Sequence, residues 1–340
     1  MSDPENNLPP VQPPSAGFLM QLFVVPMVIV VVIVMVCLMF NWLAHMGTSP
    51  QDLVDDLNKL NAGSWQKALT VANLLTDPRN AELRQDPALA KQLAKLLNDE
   101  LQAANMEPER IELRVYLCLA LGVFQVDEGM EELILAARLQ RQPEEIEVQL
   151  TALEALARRA DTTEEKRLVL QNRKDLLDAL TEVDSRFSSQ PDQALVDASL
   201  RERATFVYGV LGGDVAQERL VGLLSDAQPT VRYNAAAGLA RYGDTRAIPQ
   251  LLEMLTLASR SDAGEAQFDQ MTRDVVIRNA LRAAVQFAEA KPDEDLTELR
   301  GAIDVLAENA DRRVSNRLAM DAKMTAVKIQ ETVTLSATGS

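Results

Sequence analysis

The sequence predicts an all-α protein: an α-solenoid of stacked helical hairpins preceded by a single transmembrane helix. Three observations carry that expectation. The composition, 47% hydrophobic residues with only 4% aromatic, fits a long helical region better than a β-sandwich. The stretch LFVVPMVIVVVIVMVCLMF, Leu22 to Phe40, runs 19 residues without a charged or polar side chain. At about 1.5 Å per residue it spans roughly the ~30 Å hydrocarbon core of a bilayer. Beyond it, one hairpin-sized pattern returns along the chain, which is the mark of a repeat architecture.

Residues 1–17, MSDPENNLPPVQPPSAG, are acidic, rich in Pro and Asn and too short to fold, so they read as a disordered leader. Residues 18–44 read as the membrane helix. A soluble core helix is rarely apolar on every face, and a cleaved signal peptide wants basic residues before a shorter apolar stretch. No Lys or Arg precedes Lys59. Trp42 stands where an aromatic interface anchor is expected, and Pro26 is tolerable in a membrane helix. With Lys59 and Lys67 the only nearby basic residues, the positive-inside rule points to a single-pass membrane protein with its C-terminal domain in the cytoplasm. Cys37 falls within the span and Cys118 in the later domain, so no disulfide joins them.

The helical domain is expected over 49–330. Ser49, Pro50 and Asp52 form a capping-box start, and Leu53, Leu57 and Leu60 share one face of the helix it opens. From there to about Lys328, amphipathic helices alternate with short Pro, Gly, Asp or Asn turns. Without gaps, Leu113-Arg114 aligns with Val231-Arg232, Leu121 with Leu239 and Leu133 with Leu251. At a shorter offset Leu200-Arg201 aligns with Val231-Arg232, Ala204 with Ala235 and Gly212 with Gly243. Fainter echoes occur at Val148, Ile277-Arg278 and Val314. The clearest units are 108–156 and 200–257.

Packing explains the repeated positions. Small residues, Ala236 among them, keep a second helix thin enough for its neighbour to approach, while Leu239 fills the seam. Gly243 supplies a helix-ending conformation that a side chain resists. Within this frame Gly209, Gly212 and Gly213 read as a turn at a helix end, not a phosphate cradle.

On these residues the chain resembles the HEAT-repeat family, including the bacterial HEAT-like repeats associated with phycobilisome lyases. The unit that carries the resemblance is Leu220 to Leu252: LVGLL, the turn SDAQP, the helix VRYNAAAGLARY, then Gly243-Asp244 and AIPQLLEML. The resemblance implies a ladder in which a turn Asp and the Arg six residues later link neighbouring units, here Asp226 and Arg232. Arg114, Arg201 and Arg278 match the Arg, but Pro108, Leu195 and Thr272 stand where the Asp would be. Two stretches, 161–199 and 259–272, read as insertions, and residues 331–340 as a frayed, disordered tail.

Several chemistries are excluded. His45, beside the span, is the only histidine, so Ser-His or Cys-His catalysis and His-based metal sites cannot be built in the domain. There is no Walker A sequence, dinucleotide fingerprint or calcium loop. Acidic pairs such as Glu131-Glu132, Glu144-Glu145 and Asp293-Glu294-Asp295 read as solvated helix faces. The net charge of −16 disfavours nucleic acid. No catalytic, cofactor or metal residue is expected. The reading is a membrane-anchored, non-enzymatic scaffold or adaptor for protein partners. A basic or amphipathic helix on the partner would complement the 34 basic and 45 acidic side chains of residues 59–340. The alternatives are an accessory factor or enzyme of chromophore or protein modification, as the lyase-type repeats imply, and a self-associating structural protein.

Overall fold

The computed structural model describes residues 16–45, 57, 63–140, 143–257, 268–309 and 314–339. Met1–Asp52 and Leu53–Ser340 are two separate compact units. Residues 1–15 of the expected leader, the Ser49 capping box and most of the 259–272 insertion lie outside the described residues; Ala16 and Gly17, expected in the leader, already belong to the first helix.

In the first unit α1, Ala16–His45, contains Pro26 and a 21-residue apolar window, Met20–Phe40, with none of its side chains buried. Its length and composition suffice to cross a membrane. The side chains of Trp42 and His45 lie outside the described set.

Among the described residues of the second unit all regular secondary structure is helical. Its helices are α2 (Ser64–Thr76), α3 (Pro87–Ala103), α4 (Pro108–Leu121), α5 (Met130–Ala137), α6 (Ile146–Ala160), α7 (Glu164–Leu170), α8 (Lys174–Asp184), α9 (Pro191–Leu211), α10 (Gly213–Leu223), α11 (Pro229–Ala240), α12 (Ile248–Thr256), α13 (Gln270–Ala290), α14 (Thr297–Glu308) and α15 (Asn316–Gly339). Contacts sort them into two layers. The second helices α2, α4, α6, α9, α11, α13 and α15 each pack on the next, and the first helices α3, α5, α8, α10, α12 and α14 each pack on the second helix of their own hairpin. Six hairpins among the described residues thus stack as an α-solenoid, with α7 lying outside the alternation against α6 and α9.

Local sequence sets the boundaries. Pro occupies the first turn of α3, α4, α9 and α11, where the missing N–H is harmless. The Asp86 carboxylate accepts from the Ala88 and Leu89 amides at 2.8 and 3.2 Å, and Asp269 accepts from Thr272 at 2.7 Å. Gly243 ends its turn at φ +70°, in the left-handed region. A single apolar core runs from Leu57 to Ile329.

Two stretches differ from the sequence expectation. Residues 161–199 are not a long insertion, because Leu176, Leu180 and Val183 form a fully buried stripe that makes α8 an ordinary first helix packed on α9. The charged run is broken at Gln171–Arg173, where Asn172 Nδ2 turns back to the Leu168 carbonyl at 3.2 Å, so only α7 is extra. Residues 331–339 are helical, not frayed: α15 continues with Thr332 and Thr334 hydroxyls bonded to the Lys328 and Gln330 carbonyls, and Val333 packs on the core.

Candidate functional site

The arginines marked by sequence lie within the second helices α4, α9, α11 and α13, and their environments are unlike. Arg114 in α4 is fully buried: Nη1 donates to Glu145 Oε1 at 2.8 Å and Nη2 to the Asn105 carbonyl at 2.8 Å. Arg201 in α9 holds the Asp226 carboxylate through Nε and Nη2, at 2.9 and 3.2 Å, and its Nη1 donates to the Arg186 carbonyl. Such forked contacts to a planar carboxylate are the geometry arginine favours. Arg278 in α13 reaches Asp321 of α15 at 3.5 Å, with 40% and 35% of the two side chains exposed.

The expected pairing of Asp226 with Arg232 takes another form. Arg232 Nη1 donates to the Asp226 and Ala227 main-chain carbonyls at 2.8 and 3.2 Å, while the Asp226 carboxylate faces backwards to Arg201 and also accepts from the Gln228 amide at 2.8 Å. The acid of one unit therefore serves the arginine of the unit before it. That geometry explains Glu145, which lies in the turn before α6 and is 0% exposed, contrary to its reading as part of a solvated face. A spacing of six residues from acid to Arg does not find it. In RQPEE the acid comes after the Pro, whereas in SDAQP it precedes it.

Between α6 and α9 the polarity is reversed. Gln149 stands at the arginine position of α6, and Arg186, from the turn before α9, donates to Gln149 Oε1 and the Leu139 carbonyl at 3.1 Å each. Burial pushes the Arg186 guanidinium below its ordinary range, with Glu182 and Asp197 opposing. Neither Gln149 nor Arg186 was legible as a rung from sequence.

A groove crosses the exposed side of α9, α11 and α13, with a volume of about 400 Å³. Its floor is the crossing of Gly209 and Gly238: a Cβ at either glycine would lie 2.8 or 2.7 Å from the other's Cα. Helices meet this closely only where both lack a side chain. Ala235, Ala236 and Leu239 are fully buried on α11, while Phe206 and Val275 rise from α9 and α13 with 45% and 46% exposed. Asn234 Nδ2 donates to the Glu202 carbonyl at 3.2 Å, and Arg241, on the rim, pairs with Asp161 at 3.3 Å. A small-residue floor with apolar walls and a mixed-charge rim suits a protein segment.

The family model described as HEAT repeats matches residues 193–267. The matched segment contains most of α9, all of α10, α11 and α12, the Arg201–Asp226 rung and two of the three helices that line the groove. On either side the HEAT-like two-layer stacking continues. A search among curated proteins found no match.

Proposed function

We propose that this chain is a membrane-anchored, non-catalytic adaptor whose HEAT-repeat groove receives a helical or extended segment of a protein partner. The observation that carries the proposal is the groove itself. Phe206 and Val275 stand half-exposed on opposite walls of a glycine-floored channel that lies largely within the matched repeats. HEAT repeats are helical solenoids that serve protein interaction, and paired apolar anchors over a closely packed floor are what a partner's side chains need. The acidic balance favours a partner segment with a basic flank. The apolar α1 would tether this surface to a bilayer.

The array's cysteine is not a candidate nucleophile. Cys118 is fully buried, and burial pushes its thiol up to about 12, far from a reactive thiolate.

The test is mild cross-linking in native membranes, purification of the full-length protein and mass spectrometry of what accompanies it. A near-stoichiometric protein is expected, reduced at least tenfold by Phe206→Glu, since losing a central aromatic anchor costs about 2 kcal/mol or more. A partner retained equally by Phe206→Glu would remove the groove from the account, and recovery of no other protein would remove the adaptor.

A further inference from the structure

The exposed face of α15 carries a second surface. Leu318, Ala319, Ala322 and Ile329 bury one side of the helix, which packs on α13 and α14. On the opposite side Met320, Met324 and Val327 are 57%, 66% and 57% exposed. Glu331 continues this stripe, so its members recur at alternating spacings of four and three residues. That is the spacing of a narrow seam which meets another helix lying nearly alongside. Every other second helix from α4 to α13 is covered by a second helix on both sides; among the described residues α15 has one on a single side, and its open side carries two methionines and a valine.

The charges on the stripe select the occupant. Among the described residues neither Lys323 nor Glu331 has an ion-pair partner, whereas the nearby Lys328 is engaged by Glu289 at 2.9 Å. Lys323 lies four residues before Val327 and Glu331 four residues after it. Two copies of α15 laid antiparallel across a two-fold axis at Val327 bring each Lys323 within reach of the other's Glu331. Laid parallel, they would set Glu331 against Glu331. A self-complementary patch of this kind is what an isologous two-fold contact requires, and a single charged residue in an apolar seam fixes orientation by penalising the wrong one.

We propose that α15 binds the α15 of a second copy of this chain, antiparallel, with Val327 at the axis and reciprocal Lys323–Glu331 pairs. One helix pair is at the low end of specific interface sizes, so the dimer is reversible and concentration-dependent.

The experiment introduces Val327→Cys into full-length protein carrying Cys37→Ser, with Val305→Cys, an exposed position on α14, as the control. After mild oxidation in detergent and in native membranes, Val327→Cys is expected to give a disulfide-linked species of twice the chain mass, at least fivefold more than the control. Adding Lys323→Glu should cut that yield about five- to tenfold, by removing two attractive pairs and adding like-charge contacts. Adding Glu331→Lys as well should restore it. The same charge reversal and swap, read by light scattering without an introduced cysteine, should lower and then recover the average mass. The proposal is overturned if Val327→Cys cross-links no better than Val305→Cys, or if its adduct has the mass of a different protein. It is equally overturned if Lys323→Glu has no effect or the swap fails to restore pairing. None of these outcomes depends on the groove.

Discussion

The step from α4 to α6 and the step from α13 to α15 are both bridged by an arginine of the earlier second helix, yet they belong to different physical regimes. Arg114 and Glu145 are wholly removed from water, while Arg278 and Asp321 keep more than a third of their side chains in it. A buried pair does not gain stability simply because its members attract, since desolvation cancels much of the attraction. What it gains is intolerance: either member without the other is a buried charge short of its ionic partner. The exposed pair keeps part of both side chains in water, which softens that penalty. The same sequence mark thus means an obligatory match near one end of the array and an optional one near the other. The Gln149–Arg186 rung, with one neutral member, lies between them.

The comparison would break first at Glu145. Glu145→Ala leaves Arg114 buried without its carboxylate and is expected to destabilise the array by about 3–5 kcal/mol. It should be the lowest-melting of the rung variants when full-length protein is followed by circular dichroism in detergent. A melt near that of the unaltered chain would mean that Arg114 finds water. Gln149→Leu removes one acceptor from Arg186 and leaves the Leu139 carbonyl in place, so a loss of about 1–3 kcal/mol is expected. That variant sharpens the scale, because a larger loss than for Glu145→Ala would make neutral rungs the critical ones. Arg278→Ala should cost no more than about 1 kcal/mol, and its melting midpoint should fall further in low salt than in high salt. A large, salt-independent drop would show that the guanidinium works through packing.

Helix order, the hairpin stack and the apolar N-terminal helix were legible because each is written in local periodicity. Ala236, Leu239 and Gly243 were legible for the same reason: the first two alternate between thin and filling positions along α11, and the third ends it. Glu145 was hidden because its partner lies 31 residues earlier, and only the backward reach of the turn acid discloses it. The charge of EEKRLVLQNRKDLLDALTEV obscured α8, whose four buried apolar residues outweigh the polar ones around them. The groove floor was hidden too. Gly209 read as one of three turn glycines, yet it is inside α9, and its significance depends on Gly238 in another helix.

That glycine crossing has a mechanical consequence. Elsewhere helices interlock through ridges of side chains, so one cannot turn against another without changing rotamers or opening voids. At Gly209 and Gly238 the contact is nearly backbone on backbone, and locally there are no teeth to disengage. The two helices meet there as at a bearing: the crossing fixes how near they come, while the angle between them is held from a distance by groups such as Arg201 and Asp226 at one side and Tyr242, bonded to the Val210 carbonyl at 2.9 Å, at the other. The width of the groove is therefore governed from its ends.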